Sequence, residues 1–313
     1  MLSIQKFLSV LIGAGSSLAI AVGGGFIAEI SIDEIQKGYR KHAALAQFYR
    51  WIQFDEYPQP NMRNQLDLLR EKAYIKSPLC EMNDHATYVD QVKQLPKNWR
   101  CTHFVKSVSV TVNHTSRIDL SADVSFTNQG MRSGGHLSSA DLCYNTTLTS
   151  EVGGLPKFER IEVIQLNELA ATSFDDTYAR NRALSLLHYW LSLIENPVHN
   201  PEFIHAILGS KFSFNFLNGS ITRFEQFYTW LKGPHSLVAA STHRASNFRV
   251  SNSENGQFRM MVELDWHGLM RDGSRHATKS RHLWVIADEP LERFTRIERM
   301  DVEVLGPLRQ LLS

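Results

Sequence analysis

Two tandem α+β units, each with three helices followed by a meander of antiparallel strands, are what this 313-residue sequence predicts. Three observations carry the prediction. The second half repeats the first, each half switches from helical to alternating hydrophobic period partway along, and turn chemistry falls between the elements. The composition agrees, since 43% hydrophobic and 21% charged residues is a globular balance rather than that of a disordered or collagen-like chain.

The repeat rests on ordered matches. Trp51 recurs as Trp190, each inside an amphipathic pattern (LAQFYRWIQF and LSLLHYWLSL). Glu56-x-Pro and Asn61 recur as Glu195-Asn-Pro and Asn200, and Thr102-His103 recurs as Thr242-His243. Gly130 with His136 recurs as Gly268 with His276, and Phe158-Glu-Arg-Ile as Phe294-Thr-Arg-Ile. The offset drifts only between 136 and 140 residues, as loop insertions and deletions in a duplicated domain would leave it. The expected domains span residues 34–168 and 173–313, behind an apolar segment of residues 1–30.

Within each half the elements follow in order. Helices over about 35–54 and 175–194 end at proline-containing turns. Second helices open at Asn61 and Asn200. Asn200-Pro201-Glu202 supplies a capping side chain, a proline at the first helical position and an acid facing the positive helix end. After the polar turn Leu217-Asn-Gly-Ser, the residues Phe224, Phe227, Tyr228 and Leu231 recur at helical spacing and mark the third helix. The period then becomes two. Strands are expected over 107–112, 117–127, 140–148 and 158–165 in the first half, and over 247–252, 257–267, 281–287 and 294–304 in the second. Glycine-containing turns at 131–135 and 270–274 join neighbouring strands as hairpins, so these run antiparallel. A sheet with one apolar face must fold over the helices to bury it.

Phe7–Ala28 carries no charge and follows Lys6. It is long enough to span a bilayer, and Ala19-Ile20-Ala21 supplies a signal-like cleavage site, so it is expected to act as an export signal or membrane anchor. The alternatives are a buried or disordered extension of a cytoplasmic protein, or a nucleotide loop at Gly13-Ala14-Gly15. The loop lacks its third glycine and the room for a βαβ unit. Elsewhere, 33 Lys and Arg against 32 Asp and Glu leave a net charge of +1, and no basic excess points to nucleic acid. Cys80, Cys101 and Cys143 lack CxxC spacing, which argues against structural zinc. Serine-hydrolase, phosphate-loop and HExxH motifs are absent.

The helix–helix–helix–sheet order, Phe212-Ser-Phe-Asn-Phe-Leu-Asn-Gly, Thr242-His-Arg-Ala-Ser-Asn-Phe-Arg-Val, and Trp284-Val-Ile with Phe294-Thr-Arg-Ile resemble the NTF2-like superfamily. The resemblance is nearest to its SnoaL-like branch, which includes polyketide cyclases and scytalone dehydratase-type enzymes. It covers about 173–310 well and 36–167 more weakly. It implies a cone in each half, where a curved sheet wraps helices around an apolar pocket, and an intramolecular pseudo-dimer of the two domains. The superfamily includes isomerases, dehydratases, cyclases and members with no chemistry, so fold alone assigns no reaction.

His243 is the leading catalytic candidate. Alternation puts His243, Ala245 and Asn247 on one strand face, and a histidine serves as acid, base or donor near neutral pH. The resemblance implies that a histidine so placed, followed four residues later by Asn, lines the pocket. The bland alternative is a histidine tied to backbone. His103 is its counterpart, with Ser107 where the second half has Asn247. Glu195, at a helix end, recurs as Glu56 and is the candidate acidic partner. His276 and Tyr228 complete the catalytic set, His276 also reading as an exposed turn residue. Asn247, Trp266, Phe227, Trp230 and His103 are the expected ligand-binding residues, although the aromatic helix stripe equally suits a core. Alternation places Glu263, Asp265 and His267 opposite Trp266, toward solvent or an interface. No metal set and no cofactor are expected. The leading reading is therefore a small apolar organic ligand in the second domain, with cofactor-free isomerase, dehydratase or cyclase chemistry. The alternative is a non-catalytic binding or assembly module, tethered to a membrane through residues 7–28.

Overall fold

The computed structural model describes residues 30–311, except 55, 57–60, 97–98, 114–115, 131–136, 152, 171–172, 199, 218, 236 and 253–255. Phe7–Ala28, His136 and the turn at 131–135 therefore lie outside the described residues. Among the described residues, no helix is long and apolar enough to cross a membrane. None of Cys80, Cys101 and Cys143 is in a disulfide bond among the described residues.

The described elements repeat in kind and order. In the first half they are α1 (Ile32–Phe54), α2 (Met62–Leu66), β1 (Leu69–Lys76), β2 (Glu81–Met82), α3 (His85–Gln94), β3 (Arg100–Val112), β4 (Arg117–Gln129), β5 (Leu137–Thr149) and β6 (Lys157–Leu169). In the second they are α4 (Tyr178–Glu195), α5 (Pro201–Ala206), β7 (Leu208–Phe216), β8 (Gly219–Ile221), α6 (Phe224–His235), β9 (Val238–Asn252), β10 (Gln257–Met270), β11 (Arg275–Ala287), β12 (Arg296–Val304) and β13 (Arg309–Leu311). The predicted caps are present: Asn61 accepts from the Asn64 N–H and Asn200 from the Glu202 N–H, each satisfying a helix-start donor.

Each half forms one α+β layer pair. The first sheet runs β2-β1-β6-β5-β4-β3 and the second β8-β7-β12-β11-β10-β9, with β13 added to β11. Identical strand order is what a duplication requires. The long strands pair antiparallel, while β1 joins β6 and β7 joins β12 in parallel. Those two parallel strands fall between the second and third helices, where the sequence reading begins no strand. Their signal is short: in β7 only Leu208, Phe212 and Phe214 face inward, and β1 is interrupted by Arg70, Glu71 and Lys72. Strands β3 and β9 also start earlier than the alternation suggested, at Arg100 and Val238.

Two compact units result, and they interleave in sequence. The first comprises Arg40–Tyr189 with Leu291–Arg293, and the second comprises Trp190–Pro290 and Phe294–Ser313 with the chain up to Tyr39. Each has its own aromatic core. In the first, Trp51 packs against Tyr88 and Phe158 at ring distances of 5.7 and 6.0 Å. In the second, Trp190 packs against Phe214, Phe227 and Trp284 at 5.5, 5.5 and 6.0 Å. The repeated tryptophans thus anchor equivalent cores, where truncation of such a ring to alanine costs about 3–5 kcal/mol.

Candidate functional site

In the second unit the site grows from the register of three strands. His243 on β9 is opposite Trp266 on β10, which is opposite Thr278 on β11. Directly opposed residues share a face. The same face carries Leu264, Val262, Met260 and Trp284, all buried. Because Trp284 packs on Trp190 of α4, this is the helix-covered side of the sheet. His243 therefore points toward the helices.

Glu195, the last residue of α4, meets it there. One carboxylate oxygen, Oε1, accepts the His243 backbone N–H at 2.7 Å and lies 2.8 Å from the ring Nδ1. The Glu195 side chain is fully buried and that of His243 is 14% exposed. A carboxylate only accepts, so Nδ1 carries a proton and is the donor in this contact. Gly38 makes this possible locally, since a Cβ there would overlap Thr242 Oγ1 and stand 2.7 Å from Glu195 Oε2.

Two further side chains complete the inner face. Trp266 lies across Gly268, where any Cβ would collide with the indole, and packs with Val238 and Met270. His282, which the sequence reading passed over, is opposite Val262 and bonds through Nε2 to Ser280 Oγ at 2.9 Å. Burial pushes its pKa down to about 3, with the nearby charge of His243 acting in the same direction. Its signal was available: His282 is two residues from Trp284, hence on the same strand face.

The other expected residues are placed elsewhere. Asn247 does not share the His243 face. A bulge in β9 with Asn247 at φ 50 turns its amide to Glu263 Oε2, 2.8 Å away. Glu263 also holds Arg281 at 2.9 Å and Lys279 at 3.0 Å, and these hydrogen bonds pull its carboxyl down to about 2. Simple alternation failed there because a bulge resets the two-residue period. His276 sits at the hairpin end with Nε2 3.1 Å from Ser274 Oγ, and burial lowers its pKa. On α6, Phe227 is fully buried in the Trp190 core, and Trp230 stacks on Phe216 at 5.6 Å. Tyr228 stacks on Phe224 at 6.2 Å beneath the Lys232 ammonium. His267, read as facing solvent or an interface, is almost fully buried, and desolvation lowers its pKa.

The first unit builds the same cluster differently. Glu56 Oε1 accepts from the His103 backbone N–H at 2.6 Å, the Thr177 hydroxyl at 2.6 Å and the Asn181 amide at 2.9 Å. Asn181 also donates to the His103 carbonyl at 2.8 Å. The His103 Nδ1 stands 3.5 Å from the carboxylate, beyond a good hydrogen bond. Its ring packs on Phe126 and Tyr144 at 5.1 and 6.5 Å. Ser107 bonds Asp123 at 2.7 Å, repeating the Asn247–Glu263 contact on the equivalent strands.

A histidine whose Nδ1–H is fixed by a buried carboxylate can remove a proton through Nε2 and return it. Among the described residues, no group of three or more His, Cys, Asp and Glu side chains could hold a metal ion.

No family model and no curated protein matches the chain. Solved structures do. A scytalone dehydratase-like protein of Novosphingobium aromaticivorans is 8% identical, covering 43% of this chain and 88% of its own, with a TM-score of 0.38. The hexachlorocyclohexane dehydrochlorinase LinA-type3 of Novosphingobium barchaimii is 8% identical, covering 42% and 89%, with a TM-score of 0.37. An NTF2-like superfamily protein of Salmonella enterica is 15% identical, covering 42% and 89%, with a TM-score of 0.33. The similarity to each of these three structures spans about two fifths of this chain.

Proposed function

We propose that the second unit binds a small apolar organic molecule against the helix-covered face of its sheet and moves a proton on it by cofactor-free acid–base chemistry. The observation that carries this reading is the 2.8 Å contact between Glu195 Oε1 and His243 Nδ1. It sets the tautomer, and the buried carboxylate stabilises the imidazolium formed when Nε2 takes a proton. That proton returns to another substrate atom in an isomerisation, or to a departing hydroxyl in a dehydration. Trp266 supplies apolar wall beside the ring. The first domain is the degenerate copy, because its carboxylate is engaged by Thr177 and Asn181 and its histidine ring is packed among aromatics.

The test is proton exchange into D2O from a panel of small carbon acids (ketones, thioesters, nitroalkanes), followed by NMR with the full chain. His243→Gln should slow exchange about a hundredfold or more, the scale of a general base. Glu195→Gln should slow it about tenfold while leaving binding in place. Equal rates in wild type and His243→Gln would overturn the reading, and binding without exchange in wild type would leave a non-catalytic module.

A further inference from the structure

We propose that His282 and Ser280 on β11 recognise an oxygen of this ligand, selecting uncharged molecules that carry a carbonyl or hydroxyl group. This rests on the reading of His243 as the base.

Position comes first. His282 is opposite Val262 on one side and Val302 on the other, and Ser280 is opposite Leu264. Both side chains thus share the helix-covered face with His243, two strands across. The chemistry follows from the hydrogen bonds. Ser280 Oγ lies 2.9 Å from His282 Nε2, while the buried Nδ1 of the same ring makes no hydrogen bond among the described residues. An unfilled buried nitrogen costs about 1–3 kcal/mol, so such an atom in a native fold calls for a partner. With the serine hydroxyl donating to Nε2, Nδ1–H becomes a donor for a ligand oxygen.

Charge then sets the class of ligand. The ring is held neutral across the working range, since its desolvated surroundings oppose protonation. A neutral donor beside Val262, Leu264 and Trp284 offers no counter-charge to a carboxylate, whose desolvation would go uncompensated. A ketone satisfies it. As His243 Nε2 takes the proton from the carbon next to the carbonyl, the C–H electron pair moves into the new C=C bond and the carbonyl pair onto the oxygen held by His282. The enolate, its oxygen still accepting from His282, then takes the proton back at carbon from the His243 imidazolium. The first unit lacks this device, because the equivalent strand positions are Tyr144 opposite Ala122 and Leu142 opposite Val124.

The experiment uses the full chain labelled with nitrogen-15 at histidine, titrated with acetophenone, its near-isostere ethylbenzene, and benzoate. Acetophenone should move the His282 ring resonances and bind at least about tenfold more tightly than either of the others. In His282→Phe the acetophenone preference should vanish while the His243 resonances still respond; Ser280→Ala should reduce it several-fold. The wild-type spectra require no variant to fold. Equal binding of acetophenone and ethylbenzene, or a response at His243 with none at His282, overturns the role of His282 and leaves the base intact. No response at either ring overturns both.

Discussion

In the first unit, Glu56 Oε1 gathers a backbone N–H, a threonine hydroxyl and an asparagine amide, and the His103 ring stands back at 3.5 Å. In the second, the equivalent oxygen of Glu195 receives both the backbone N–H and the Nδ1–H of His243. The strand, the acid and the histidine are the same in both. What differs is the start of the long helix that reaches the acid. Thr177 lies in the first unit and Gly38 in the second, 139 residues apart, the offset that relates Trp51 to Trp190. In the first unit the Thr177 hydroxyl donates to the carboxylate; in the second, a Cβ at Gly38 would run into Thr242 and Glu195. The two units thus differ in the donors that reach the acid, Thr177 and Asn181 in the first against His243 in the second, and the side chain at the Thr177/Gly38 position is one of those differences.

The largest effect should come from exchanging that side chain. Gly38→Thr places a Cβ on Thr242 and against Glu195, so it should destabilise the protein by about 2–3 kcal/mol and break the dyad. Thr177→Val removes a donor to Glu56 and an acceptor of the His103 N–H, and should cost about 1–2 kcal/mol with carbon-acid exchange unaffected. Urea midpoints and exchange rates check both. Equal losses of exchange activity from the two variants would end the division of labour between the units.

Acid should weaken both units, through different histidines. In the first, His188 stacks on Tyr49 at 5.7 Å and meets His42 with Nδ1 atoms 3.0 Å apart; burial, then the His42 charge, lower its pKa well below 6.5. In the second, His282 is lowered to about 3. Folding keeps both rings neutral, whereas the unfolded chain protonates them below about 6.5. Stability is therefore full above that pH and declines as acid is added, for His282 down to about 3. Glu263 adds to the same trend, from 4.5 down to about 2. Thermal midpoints should fall through this window, and His188→Phe should flatten the upper part of the decline. A midpoint that rises on acidification would contradict the neutral rings of His188 and His282.

The smallest effect concerns the bulge. Asn247→Ala should cost about 1 kcal/mol by losing the Glu263 hydrogen bond and straining the positive φ, while Asn247→Gly should lose only the hydrogen bond. Identical urea midpoints for the two would remove backbone strain from the account.

Much of the architecture was legible because it is periodic. Trp51 and Trp190, Asn61 and Asn200, and the alternation through Met260, Val262, Leu264 and Trp266 report helix faces, caps and strand faces from nearest neighbours alone. The parallel strands β1 and β7 were not, because each has too few inward residues to announce itself and is defined by a partner far away in sequence. Within the candidate site, the structure brings His243 and Glu195 together, and both were marked in the sequence by their recurrence as His103 and Glu56. His282 escaped by having no counterpart in the first half, where Tyr144 stands. Asn247 was misplaced by a bulge that strict alternation does not foresee.

Local chemistry thus suffices for the duplication, the α+β class and the choice of an acid and a histidine, because periodicity, capping and recurrence are properties of short stretches. Which of the two acid–histidine pairs closes to 2.8 Å is not such a property. It lies in what reaches each acid from a distant part of the chain: Thr177 and Asn181 at Glu56, and Gly38, which has no side chain, beside Thr242 and Glu195. Hydrogen bonds of one oxygen are shared among whatever donors the fold brings within reach, and only tertiary packing decides which donors those are.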